Sequence, residues 1–340
     1  MNKKLNDIFI DVLNRDYNED DYKEFYKYSR IDPNFKTVRD ILTFNYCFIP
    51  RDSGFFSVFN YFIGLLYYGY IVYPYWNYNV AFRKNHRLRH FCYLDKNIDN
   101  CWFEFFEPIR YSIEDDKHFD CKKFRVTQGD NTPKEFKYLD QRRYLFNKDD
   151  FKEWRTGVNK IYTKYIKPSA HVQNSVDHIC KDFNNGIMIG VHYRHPSHSC
   201  EQGCVYFEDY FTKIDNILLQ HPDANIFLAT DNDLGILVFK DRYSNKIIYR
   251  NDVERTSVDN IIDWAYACST SKPDHLGFIN NVGYQVHYDS KSSIKMGHDV
   301  LIDALCLSRC NYLVHTVSNI ALAVSYINVD IHMISIIKQK

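Results

Sequence analysis

The sequence predicts an α/β protein built on a parallel sheet, and three observations carry that prediction. From Ile187 onward, short apolar runs alternate with helix-like stretches. The runs Ile187 to Tyr193 and Ile226 to Thr230 are almost continuously apolar, as strands buried on both faces are. Hydrophobic residues make up 45% of the 340-residue chain, enough to build a sizeable core.

In the N-terminal half, Tyr46 to Ile49 is a short strand candidate. It runs through Arg51-Asp52-Ser53-Gly54 into an aromatic helix, Phe55 to Tyr68, and then a strand-like stretch, Tyr70 to Tyr75. Ser53 to Phe82 contains no Asp, Glu, Lys or Arg, yet its Asn60, Pro74 and seven Tyr argue for a buried helix and strand rather than a transmembrane segment. Residues 111–150 are polar and read as excursions or a lid-like insertion. Residues 150–181 read as helical, interrupted at Pro168.

The C-terminal half is more regular. After the strand at Ile187 come a helix (Phe207 to Leu219), the strand Ile226 to Thr230 and a helix (Leu234 to Tyr243). A strand (Lys246 to Tyr249), a helix (Asp299 to Cys310) and a strand (Tyr312 to His315) follow. A small-residue helix (Asn319 to Ile327) and a last strand (Ile331 to Ile336) close the chain.

Charge and cysteine content bound the function. With 43 Lys+Arg against 43 Asp+Glu, the chain lacks the basic excess of a general nucleic-acid binder. The N-terminus has no apolar signal segment, so a cytoplasmic location is expected. Ten cysteines in a chain this long do not make a disulfide scaffold, and Cys306 and Cys310, one helical turn apart, suit core packing. Cys200 and Cys204, near His195 and His198, suit either a free-thiol loop or a metal site. The 28 Tyr and 25 Phe suit half-wet clefts and equally fit a compositional bias.

Ligands of open parallel sheets bind at the carboxyl ends of the strands. Arg194, the lone cation between Lys181 and Lys213, ends the first regular strand, where a guanidinium suits a phosphate as well as a salt bridge. Thr316-Val317-Ser318-Asn319 opens a helix; Ser318 or Asn319 caps it, and its free amides suit an anion. Asp303, among Leu301, Ala304, Leu305 and Leu307, needs a partner, and the edge of a guanine is one. Asp231-Asn232-Asp233 fits both a DxD motif, with Asp231 a candidate binding residue, and a simple helix cap. No P-loop, GxGxxG, GxSxG or HExxH occurs.

Three segments together resemble the fucosyltransferase superfamily, in particular its α-1,6-fucosyltransferases of the core-N-glycan and nodulation-factor type. They are Gly190-Val191-His192-Tyr193-Arg194, the strand end IFLATDND, and the block from Gly297 to Ile327. In that block Asp303, eight residues, a strand and Thr316-Val317-Ser318 keep the family's spacing. The likeness covers about residues 186–330. It implies a GT-B glycosyltransferase with two Rossmann-like domains facing a cleft. Residues 1–180 would form the acceptor side, with insertions, and residues 181–340 the nucleotide-sugar side.

The resemblance further implies an inverting, metal-independent enzyme that takes GDP-fucose as donor substrate and a glycan hydroxyl as acceptor, with no cofactor. By the same resemblance Arg194 would hold the β-phosphate, His192 and Asp303 the guanine or ribose, and Ser318 the phosphates. Glu201 would be the catalytic base. The family's usual residues after the arginine are replaced by His195-Pro196-Ser197-His198, so His195, His198, Glu208 and Asp209 are competing bases. A DxD metal-dependent glycosyltransferase and a non-catalytic sugar-nucleotide or glycan-binding module are the alternatives. Residues 181–340 carry 14 basic and 18 acidic residues, so diphosphate binding there must rest on a few placed groups.

Overall fold

The computed structural model describes residues 54–72, 102–107, 149–194, 205–255 and 293–336. The strand candidate at Tyr46, nearly all of residues 111–150, and residues 195–204 lie outside them.

The described chain is α/β with one five-stranded parallel sheet. Its strands are β1 (Met188–Tyr193), β2 (Asn225–Thr230), β3 (Ile247–Ile248), β4 (Tyr312–His315) and β5 (His332–Ser335), in the order β3-β2-β1-β4-β5. β1 is buried along its whole length because β2 and β4 flank it and helices cover both faces. Its register sets His192 against Ala229 of β2 and His315 of β4. A side chain at Gly190 would meet Leu307, Cys310 and the Tyr312 carbonyl within 3.1–3.2 Å, so glycine there lets β4 and the helix before it pack tightly onto β1.

Helices α1 (Phe55–Val72), α2 (Trp102–Phe105), α3 (Asp149–Tyr165) and α4 (Ala170–Ile179) precede the sheet. α5 (Phe207–Gln220) and α6 (Asp233–Tyr243) cover one face, against Val191, Tyr193 and Leu228. α7 (Ser293–Ser308) and α8 (Asn319–Ile327) cover the other, and α1 to α4 share their core. In that core Phe59 stacks on Phe106 at 5.0 Å, and Trp102 lies 4.5 Å from Phe106. The described Phe residues of α1 are therefore core, as are Cys306 and Cys310.

Two boundaries differ from expectation. α1, described as far as Val72, is helical through Tyr70 to Val72, the start of the stretch expected to be strand. α7 begins at Ser293, six residues early, because buried Gly297 is tolerated inside it. Pro168 separates α3 from α4 as expected. No described helix is long and apolar enough to cross a membrane.

Candidate functional site

The strand order reverses direction between β1 and β4. From β1 the chain goes outward to β2 and β3, then returns to lay β4 on the other side. Such a switch point opens a crevice beyond the carboxyl ends of the two strands. Here those ends are His192-Tyr193-Arg194 and His315-Thr316-Val317-Ser318. The structure thus brings His192, Arg194, Ser318 and Asn319 to one place, although about 125 residues separate the two segments.

Ser318 is the N-cap of α8, and its hydroxyl accepts the Ala321 amide at 3.0 Å. It also lies 3.2 Å from Nδ1 of His192. The first turn of α8 contains no acidic residue, so nothing of its own offsets the positive end of the helix dipole. α8 is clamped at both ends by the N-terminal half. Asn60, a buried polar residue of α1, donates to the Asn319 carbonyl at 2.9 Å and accepts from the Tyr326 hydroxyl at 2.7 Å. Asn159 donates to the Tyr326 carbonyl at 2.8 Å, an acceptor the helix leaves open at its C-terminus, and Arg155 donates to the Val329 carbonyl just beyond it.

Tyr210 of α5 braces the crevice from the opposite face. Its buried hydroxyl donates to the His192 carbonyl at 3.1 Å and lies against the Arg194 backbone and the Thr316 side chain. Burial pushes its phenol well above the ordinary range, so it stays a neutral donor. His315, fully buried, meets the Thr316 carbonyl through Nδ1 at 2.8 Å, and burial pushes its pKa down to about 4.

Asp303 has the partner its apolar surroundings demand, and that partner is Arg250. This buried guanidinium meets Asp303 at 3.3 Å, Asp299 at 2.8 Å and Asp252 at 2.6 Å, and Lys295 adds a second cation on Asp299 at 2.6 Å. Burial raises the Asp303 pKa to about 6, with Arg250 opposing it. Burial also works against the Arg250 charge, but Asp303, Asp252 and Asp299 together outweigh it and hold its pKa above the ordinary value. Arg250 directly follows the expected strand Lys246 to Tyr249, and nothing around it in the sequence marks it as the partner of Asp303. The only signal was an unpartnered Asp303, which names a need and not the residue that meets it.

Asp231-Asn232-Asp233 does the work of a cap. Asn232 is buried, its Oδ1 accepts the Gly235 amide at 2.6 Å, and its Nδ2 donates to Thr230 at 3.2 Å. Asp231 is half-buried at the end of β2, and Asp233 is exposed in the first turn of α6. Among the described residues no three His, Cys, Asp or Glu side chains gather as metal ligands would. Glu208 and Asp209 open α5, where Asp209 accepts the Tyr206 amide at 2.9 Å. Glu201, His195, His198, Cys200 and Cys204 fall outside the described residues.

The chain matches no protein-family model and no curated protein sequence. Several solved structures are similar to it, among them the following three. The NodZ α-1,6-fucosyltransferase soaked with GDP-fucose is 13% identical over 84% of this chain and 93% of that one, with a TM-score of 0.48. POFUT1 in complex with GDP is 12% identical over 90% and 99%, at 0.42. A mutant of Arabidopsis thaliana FUT1 in complex with GDP is 11% identical over 91% and 76%, at 0.40. Likeness at this level describes the trace of the chain and not its chemistry.

Proposed function

We propose that this protein is an inverting, metal-independent glycosyltransferase of GT-B type that transfers fucose from GDP-fucose to a glycan hydroxyl. The observation that supports it most is the switch-point crevice. There one strand end supplies His192 and Arg194, and the other supplies the uncompensated N-terminus of α8. Arg194 and the α8 amides answer the charge that builds on a leaving diphosphate. Asp303, tied to Arg250, is the acceptor for the N–H edge of guanine. The sequence resemblance names the same residues. That the solved structures above hold GDP or GDP-fucose agrees with this reading without carrying it.

In this scheme the acceptor hydroxyl attacks the anomeric carbon, its proton passes to a carboxylate, and GDP leaves with the electron pair of the broken C–O bond. Glu201 is the proposed base, close in sequence after Arg194. A cleft between two domains would bring it to the acceptor on closure. The donor is a substrate, and no bound cofactor is required.

A thermal-shift panel of nucleotide sugars tests the reading. GDP and GDP-fucose should stabilise the protein, and UDP-sugars should not. Arg194→Ala should abolish the GDP shift; an unchanged shift would remove Arg194 from the phosphate site. Loss of transferase activity in EDTA would favour a metal-dependent DxD enzyme. Protein that binds GDP-fucose but labels no acceptor, with Glu201→Gln indistinguishable from wild type, would favour a binding module.

A further inference from the structure

Asn60 is 3% exposed in a stretch of α1 where Phe56, Phe59 and Ile63 are core, so its carboxamide must find partners inside the protein. Its Nδ2 donates to the Asn319 carbonyl at 2.9 Å and lies 3.3 Å from Oδ1 of the Asn319 side chain. A main-chain carbonyl can only accept, so the Asn60 atom that faces it must be the donor. Oδ1 of Asn60 is then left for the Tyr326 hydroxyl at 2.7 Å, and Oδ1 of Asn319 takes the second Nδ2 proton. One obligate acceptor thus fixes both carboxamides, and Nδ2 of Asn319 is turned away from Asn60.

The carbonyl of the first residue of a helix is already met by the amide four residues on, so α8 does not need the bond from Asn60 to be complete. At the other end Asn159 meets a carbonyl that the helix does leave open. The bond from Asn60 therefore ties the first turn of α8 to α1 and completes nothing within α8. Because α1 shares one core with α7 and α8, that tie runs through close-packed structure. We infer that Asn60 is a positioning residue: buried and out of reach of any ligand, it holds the first turn of α8 and the Asn319 carboxamide in place. The N-terminal half of the chain thereby sets how strongly the switch-point crevice holds an anion. That the anion is a nucleoside diphosphate rests on the nucleotide reading above; the orientation of the two carboxamides does not.

The full-length protein tests this in two steps. In the ligand-free wild type, nitrogen-15 NMR should show the side-chain amide protons of Asn60 exchanging with water more slowly than those of Asn319. The reverse order would overturn the orientation. Asn60→Ala removes the tie to Asn319, and Asn60→Ser, too short to reach the Asn319 carbonyl, is a milder variant of the same kind. Tyr326→Phe removes a buried hydrogen bond of Asn60 but leaves the tie, so all three should melt below wild type. Well below those melting temperatures, GDP affinity by calorimetry should fall about tenfold in Asn60→Ala and Asn60→Ser and stay within about twofold in Tyr326→Phe. The Asn319 side-chain signal should move in the two Asn60 variants and hold in Tyr326→Phe. Unchanged affinity in the Asn60 variants, or equal losses in all three, would overturn the positioning role. A wild type with the expected exchange order that fails to bind GDP would overturn the nucleotide reading and leave the carboxamide orientation standing.

Discussion

Helices α6 and α8 open with the same local chemistry. Each has a threonine two residues before its cap, Thr230 and Thr316. Each cap is buried and accepts the amide three residues on: Asn232 takes Gly235, and Ser318 takes Ala321. They differ in charge and in place. The first turn of α6 carries Asp233, which offsets the dipole of its own helix; the first turn of α8 carries no acid. α6 opens beyond β2, whereas α8 opens at the switch point beside β1. A cap motif by itself therefore does not mark a site. What distinguishes α8 is an unanswered dipole next to His192, at the position where the sheet opens a crevice.

That comparison can be broken at several points, and the largest effect concerns pH. The turn before α8 has a buried histidine behind it, and the turn before α6 has none. The depressed pKa of His315 contributes stability that is fully present above its ordinary value near 6.5. It is lost as pH falls through about 4, by roughly 3 kcal/mol in all. The raised pKa of Asp303 acts oppositely. Its contribution is fully present below about pH 4 and is lost as pH rises through about 6. The two nearly cancel in the wild type. Denaturant titrations between pH 6.5 and 4 should show Asp303→Asn losing stability on acidification and His315→Gln gaining it. Parallel profiles for the two variants would mean that neither group is held as described.

Next in size is Asn319→Asp, which gives α8 the acid that α6 already has. GDP affinity by calorimetry should fall about 10- to 100-fold, while the melting temperature holds or rises, because a carboxylate suits a helix N-terminus. Undiminished affinity would show that the α8 terminus does not face the diphosphate. Asn232→Ala, which removes the α6 cap, should cost about 1 kcal/mol of stability and leave GDP affinity within about twofold. A large loss of GDP binding there would return Asp231-Asn232-Asp233 to the ligand site. The smallest effect expected is from Asp233→Asn, a few tenths of a kcal/mol with no change in GDP affinity. A marked activity loss would contradict a purely local role for Asp233.

Much of the fold was legible because its signals are local. Buried parallel strands show as apolar runs, and β4 (Tyr312–His315) and α8 (Asn319–Ile327) fall where the pattern puts them. The site was half legible. The rule that ligands sit at strand ends singled out Arg194, Ser318 and Asn319, and the family resemblance added His192. In the sequence, Asn60 served only as an argument against a membrane-spanning segment. Its partners Asn319 and Tyr326 lie more than 250 residues away, and nothing local announces such a pair.

The sequence by itself determined the alternation of elements, the parallel class of the sheet, where helices α6 and α8 begin to within a residue or two, and the need of Asp303 for a partner. These follow from periodicity and side-chain chemistry within a few residues. Only the tertiary structure decided the order β3-β2-β1-β4-β5, which sets β4 beside β1 and makes a crevice of their ends. It alone joined Arg250 to Asp252, Asp299 and Asp303, and set Ser318 against His192. The physical reason is that strand neighbours and buried charge partners are chosen by how whole faces pack and by which polar groups would otherwise be stranded. Such choices join residues far apart in the chain, and no short window of sequence contains both sides of them.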